Sequence, residues 1–205
     1  MTQKKRLLLF GLILLAQAIY LPLNRGLQNG TALNLPIDNL IPIYPVWAVP
    51  YVLWMVSWFA LWLWAAFKMP EKLYRQMIIS GLVTIVSAMI FFLLVPTYVP
   101  RKPVDEMAFG AIFLQLLYSA DGLYCAFPSG HIYLCALTGY FFSNWFPKTR
   151  WLWAGILMIV GLSTLFTGQH YVTDLLGGLI FAGFGILMGR RLMTIKSLSR
   201  KLTNW

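Results

Sequence analysis

The sequence predicts an all-α, polytopic membrane protein, a six-helix transmembrane bundle, and three observations carry that reading. Of the 205 residues 60% are hydrophobic and only 11% are charged, with a mean hydropathy of +0.72, which is too apolar for a soluble domain. Long apolar runs recur, each close to the roughly 20 residues a membrane span needs, and short polar or proline-bearing stretches separate them. The basic residues cluster at one end of those runs. The length suits one bundle with no second domain, so residues 1–205 are expected to form a single transmembrane domain.

The elements follow in order. Lys4-Lys5-Arg6 precede an apolar run, Leu7 to Leu23, which lacks a convincing small-residue cleavage site and reads as a retained first span. Asn24 to Pro45 is rich in Asn, Gly and Pro and reads as a loop. The second span is Val46 to Phe67, with Trp47, Trp54, Trp58, Trp62 and Trp64, the outermost suited to headgroup level. A charged connection leads to the third span, Met77 to Tyr98, which Pro96 and Pro100 close. Val99 to Phe127 contains an apolar stripe between Phe109 and Tyr118 that suits an interfacial helix. Spans four, five and six are Ser129 to Phe146, Trp151 to Thr167 and Tyr171 to Met188. The last carries Gly177, Gly178, Gly183, Gly185 and Gly189 for close helix approach, and a basic tail, Arg190 to Trp205, follows it. Cys125 and Cys135 lie at no metal-binding spacing and read as packing residues.

A formal charge of +10 would point to nucleic acid in a soluble protein. Here its distribution gives another account and no nucleic-acid partner is expected: of 16 Lys and Arg, only Arg25, Arg101 and Lys102 fall away from the end holding the termini. The positive-inside rule then makes the termini cytoplasmic. It also puts the start of span four and the turn between spans five and six on the extracytoplasmic face.

Two polar knots share that face. In the first, His170 and Asp174 are four residues apart, so a helical turn lays the carboxylate over the imidazole, fixes its tautomer and frees the other nitrogen as nucleophile or base. In the second, Ser129-Gly130-His131 opens a helix whose unpaired amides and dipole attract an anion. Gly130 admits an oxyanion close to the backbone, Ser129 adds a hydroxyl, and Arg101 or Lys102 supplies formal charge. Phosphate is the natural ligand. Two histidines beside such a site suit phosphoryl transfer, one attacking phosphorus and the other protonating the leaving oxygen. Zinc is the competing use of two histidines and an aspartate, but it leaves the anion site without a role.

These residues resemble the type 2 phosphatidic acid phosphatase superfamily of membrane lipid phosphatases. Its second signature stands intact as Pro128-Ser129-Gly130-His131, and Ser163, His170 and Asp174 match the third, in which Thr164 replaces an arginine. In the first signature Lys102-Pro103, or Arg101 with one residue inserted, takes the Arg-Pro position, and Val95 stands where the family has lysine. Asp38 to Pro42, Pro45, Tyr51, Trp54 and the stretch Asp121 to Phe127 are similar to the inositol phosphorylceramide synthase-like branch. The resemblance implies that His170 forms a phosphohistidine, Asp174 orients it, and His131 acts as acid and then base. It also implies that Ser129, Gly130 and Arg101 or Lys102 hold the phosphate, without metal or cofactor.

The expected function is therefore a membrane lipid phosphatase or phosphotransferase whose substrate is a lipid phosphate or diphosphate among membrane lipids. Which lipid, whether water or an alcohol accepts the phosphate, and the oligomeric state stay open. The alternative is a non-catalytic lipid-phosphate binder or flippase with the same fold.

Overall fold

A computed structural model describes the backbone of residues 1–202 and the side chains of residues 1–194. It is all-helical, and five of its helices are long and apolar enough to cross a membrane. The first is interrupted: α1 (Gln3–Ala18) and α2 (Tyr20–Gly26) meet at Ile19. Pro22 explains the break, because it has no amide for the Ala18 carbonyl and its ring crowds that carbonyl. A loop with a 3-10 turn at Pro36–Leu40 leads to α3 (Ala48–Lys68), and α4 (Glu71–Leu94) starts before its predicted 77, absorbing the charged connection. The stretch near Phe109 to Tyr118 forms α5 (Ala111–Ala120).

The fourth predicted span is α6 (Gly130–Trp145), whose 16 residues reach about 24 Å and fall short of a typical span. It tolerates this because it is central: α3, α4, α7 and α8 all pack against it, and Ile132, Tyr133, Leu134, Leu137, Phe141 and Phe142 are buried. Next come α7 (Arg150–Phe166) and α8 (Val172–Leu202), the latter continuing without a break past the predicted end at Met188. The predicted basic tail is thus helical through Leu202, while the side chains of Lys196, Arg200, Lys201 and Trp205 lie outside the described residues. The tryptophans of α3 split by face. Trp54, Trp58 and Trp62, spaced four apart, are buried, and Trp62 Nε1 donates to Thr138 Oγ1 of α6 at 2.8 Å, whereas Trp64 is partly exposed.

Glycines set how closely α8 approaches its neighbours. A Cβ on Gly178 would lie 2.7 Å from Ile132 Cβ and 2.9 Å from the Ser129 carbonyl oxygen, and one on Gly177 would collide with the Phe127 ring. Farther along, Gly185 and Gly189 admit Thr84 and Ser80 of α4 in the same way. Gly183 does not serve this purpose, since nothing lies within 4 Å of its Cβ position. The contact at Gly178 matters most for the site, because it brings the start of α8 against the start of α6. There the Ser129 amide donates to the Asp174 carbonyl at 2.9 Å.

Candidate active site

The α7–α8 turn is built from its own backbone. The Thr164 carbonyl accepts from the amides of Gln169 (3.0 Å) and His170 (3.2 Å), and Gly168, at φ +62°, takes the left-handed conformation that reverses the chain. Two carboxylates then cap α8. Asp174 Oδ2 accepts from the Tyr171 amide at 2.8 Å, and Asp38, from the distant 36–40 turn, accepts from the Val172 amide at 2.9 Å. Burial, then Asp38 and Asp174, push the Tyr171 phenol above its usual range, so it stays neutral.

With Asp174 so held, its Oδ2 lies 3.4 Å from His170 Nδ1, inside ion-pair reach though long for a hydrogen bond. His131, in the first turn of α6, faces His170 with ring centroids 6.1 Å apart. Both histidines line a cavity of about 420 Å³ whose apolar walls come from α1, α2, α3, α5 and α6, among them Leu14, Leu21, Val52, Met55, Leu117 and Leu134. Tyr20, Tyr51, Asp121, His131 and His170 are among its few polar groups and hydrocarbon lines most of the rest, which suits a lipid.

The predicted phosphate donors divide. Ser129 is the N-cap of α6 but makes no side-chain cap bond, and its Oγ is buried without a partner. Helix geometry leaves the amides of Gly130, His131 and Ile132 without intrahelical acceptors. Gly130 is not demanded by packing: the nearest atom to a Cβ there would be the Tyr133 hydroxyl at 3.5 Å, an ordinary contact. Arg101 donates to Gln169 Oε1 and to the carbonyls of Asp121 (3.0 Å) and Gly122 (2.5 Å), its guanidinium lying 4.7 Å from the Tyr118 ring centroid. Burial raises the Tyr118 pKa and Arg101 opposes that; the phenol donates to the Thr167 carbonyl at 2.6 Å. Lys102 turns the other way, donating to the carbonyls of Asp38 (3.0 Å) and Ile41 (3.1 Å), although it shares a small cavity with His170 and Tyr171.

Ten buried side-chain nitrogen or oxygen atoms among the described residues have no hydrogen-bond partner, and six gather here: Arg101 Nε, Ser129 Oγ, His131 Nε2, Gln169 Nε2, His170 Nδ1 and Asp174 Oδ1. An unsatisfied buried polar atom is destabilising by about 1–3 kcal/mol, so such a cluster is uncommon unless something else uses it. Arranged so, these groups can hold an oxyanion, present an imidazole to its centre and hand a proton to its far side.

Residues 12–188 match the PAP2 superfamily. The chain belongs to that superfamily. Membership of the PAP2 superfamily supports an integral membrane lipid phosphatase or phosphotransferase in general terms. Among its relatives is the inositol phosphorylceramide synthase catalytic subunit aur1 of Schizosaccharomyces pombe, 24% identical over 102 residues, which are 50% of this chain. The chain spans only about a quarter of that relative's length. No solved structure matches the chain.

Beside the superfamily's pattern, Thr164 is fully buried, and its hydroxyl donates to the Gly161 carbonyl at 2.8 Å, so its side chain does the work of local helix bonding. Ser163 does the same with Val160. Val95 caps α4 and is partly exposed. Sequence reasoning gave no site role to Gln169, with its free Nε2, or to Asp121, Tyr20 and Tyr51 at the cavity, although Tyr51 and Asp121 entered the branch resemblance. Gln169 could have been flagged, since a long amide directly before His170 reaches what His170 reaches. The other three meet only through the fold. Cys125, in the same cavity, has its thiol pushed up to about 12 by burial and then by Asp121, which fits the packing role expected of it.

Proposed function

We propose that this protein cleaves or transfers a phosphate-bearing group on a membrane lipid through a phosphohistidine at His170, at the extracytoplasmic face. The observation that carries the reading is the pair of histidines 6.1 Å apart, one beside Asp174, in a lipid-sized apolar cavity. Asp174 holds Nδ1 of His170 and leaves Nε2 to attack phosphorus. As the N–P bond forms and the P–O bond breaks, His131 gives its Nε2 proton to the departing oxygen. In the second step His131 takes a proton from water or an alcohol, whose oxygen bonds to phosphorus while the P–N electron pair returns to His170. Ser129, the amides from Gly130 onward, Gln169 and Arg101 hold the equatorial oxygens. Lys102 contributes longer-range charge from the small cavity beside His170.

The donor set is mostly neutral: one guanidinium, one hydroxyl and several amides stand where the family pattern has three cations. That composition favours a phosphodiester or diphosphate, whose charge per phosphorus or leaving group is less demanding, over a simple phosphomonoester. Sidedness rests on the basic residues: Arg6, Lys68, Arg75 and Arg150 lie at the bundle end opposite the histidines, as the positive-inside rule requires of a cytoplasmic end. The same missing cations favour the rival reading, a lipid-phosphate binder without turnover. Incubating the purified protein with radiolabelled lipid phosphodiester, diphosphate and monoester, then quenching in alkali, separates the two. An alkali-stable, acid-labile label absent from His170→Ala, with turnover lowered by about three orders of magnitude or more, is expected. Parent-like activity in His170→Ala would refute the covalent mechanism.

A further inference from the structure

The two histidines are oriented by different means. His170 has Asp174 on its own segment. His131 has Cys135 at that spacing, and its Nε2 is buried and unpartnered. What fixes its ring is Tyr51 of α3, whose ring lies against it with centroids 3.9 Å apart and planes 32° apart. The Tyr51 hydroxyl donates to Asp121 Oδ2 at 3.2 Å, and Tyr20 of α2 donates to Oδ1 at 2.9 Å. Asn24 Nδ2 donates to the Tyr20 hydroxyl at 2.8 Å and to the Tyr124 carbonyl at 2.6 Å, anchoring that arm. Arg101 fixes the backbone of Asp121 from the other side.

We propose that Asp121 is a positioning residue for His131, acting through the Tyr51 phenol. Its carboxylate locks the Tyr51 ring as a wall against the imidazole face, so that Nε2 is aimed into the cavity toward His170. A phenol bonded to a carboxylate also presents an electron-rich face, which stabilises the imidazolium that His131 becomes when it takes a proton. Asp121 thus serves His131 across three helices as Asp174 serves His170 within one turn. The role rests on the proposal that His131 is the acid and base.

Hexadecyl p-nitrophenyl phosphate, a long-chain phosphodiester with an activated leaving group, tests it with the full chain in micelles. The first step with this probe needs no proton donor, whereas the second still needs His131 as base. Asp121→Asn and Tyr51→Phe are expected to keep a first-turnover burst of about one p-nitrophenolate per protein, within about threefold of the parent rate, and to lose roughly tenfold or more in steady-state turnover. Neither should lower the turnover of His131→Ala further, because residues acting through one group are not additive. Burst and steady state falling together, additive loss in the His131→Ala background, or a parent-like Tyr51→Phe would overturn the role. Tyr51→Phe carries the test if Asp121→Asn fails to fold. A burst surviving in His170→Ala would sink the phosphohistidine instead, and non-additivity with His131→Ala would still decide the role of Asp121.

Discussion

The two ends of the bundle use their polar side chains in opposite ways. At the end where α1 begins and α3 finishes, Arg6 donates to the carbonyls of Ala65 and Met69, Gln3 donates to that of Ala66, and the Tyr74 hydroxyl donates to the Arg6 carbonyl. The Ala65, Ala66 and Met69 carbonyls lie at the C-terminal end of α3, where the Met69 amide bonds only Ala65, so these side chains help to complete the fold. At the opposite end six atoms on Arg101, Ser129, His131, Gln169, His170 and Asp174 are buried with no partner. The first end spends its side chains on its own carbonyls, although Arg6 Nε stays unpartnered there, and the other holds six such atoms in reserve at a cost in stability. Unspent hydrogen-bonding capacity therefore marks the proposed reactive end more sharply than hydropathy does.

The comparison breaks most completely where α8 meets α6. Leucine at Gly178 must push against Ile132 and the Ser129 carbonyl, prising Asp174 and His170 from the α6 amides. Gly178→Leu is expected to lower turnover by about a hundredfold or more, as misplacement of order 1 Å does. Gly183→Leu, with nothing within 4 Å of its Cβ position, should leave turnover within about twofold. Equal effects of the two, measured per folded molecule, would mean that helix approach does not set the site.

How much of this was legible follows from what each residue answers to. The Pro128 to His131 run, and the His170–Asp174 spacing, are local, and local geometry makes each a helix start wherever the chain goes. Span order was legible for the same reason, and the early end of α1 was too, in Pro22, although the run Leu7 to Leu23 reads through it. The divergence of Arg101 and Lys102 was not legible. Adjacent in sequence, they are sorted by Gln169, Asp121 and Tyr118 on one side and by Asp38 and Ile41 on the other. Asp38 could be seen only as a lone loop acid, because its partner Val172 lies 134 residues on. The continuation of α8 was hidden by its charges, which end an apolar run without ending a helix.

That divergence sharpens the comparison within the proposed reactive end. Arg101 keeps Nε free beside Gln169 Nε2, whereas the Lys102 ammonium is bonded to two loop carbonyls. Arg101→Ala is expected to lower turnover by roughly 10²–10³-fold, the usual loss for a transition-state donor. Lys102→Ala should lower it by about tenfold or less, mainly by loosening the 38–41 turn. Turnover of the two single variants on one lipid phosphodiester decides the point, and the reverse order would make Lys102 the principal cation.

The smallest effect on turnover belongs to the end where α1 begins. Arg6 reaches two carbonyls and lies 4.5 Å from the Tyr74 ring centroid, but it is partly exposed, so solvent discounts what each contact contributes. Methionine there keeps the packed stem while removing the fork that only arginine provides. Loss of the charge-assisted bonds to Ala65, which keeps its bond from the Met69 amide, and to Met69 should lower stability by about 1–2 kcal/mol. Because these carbonyls belong to the end remote from both histidines, turnover per folded molecule should stay within about twofold of the parent. Thermal unfolding in detergent, read beside active-site titration of the same sample, tests both halves. A stable Arg6→Met variant that turns over tenfold more slowly would show that the two ends are coupled, and that the apparent division of labour between them is wrong.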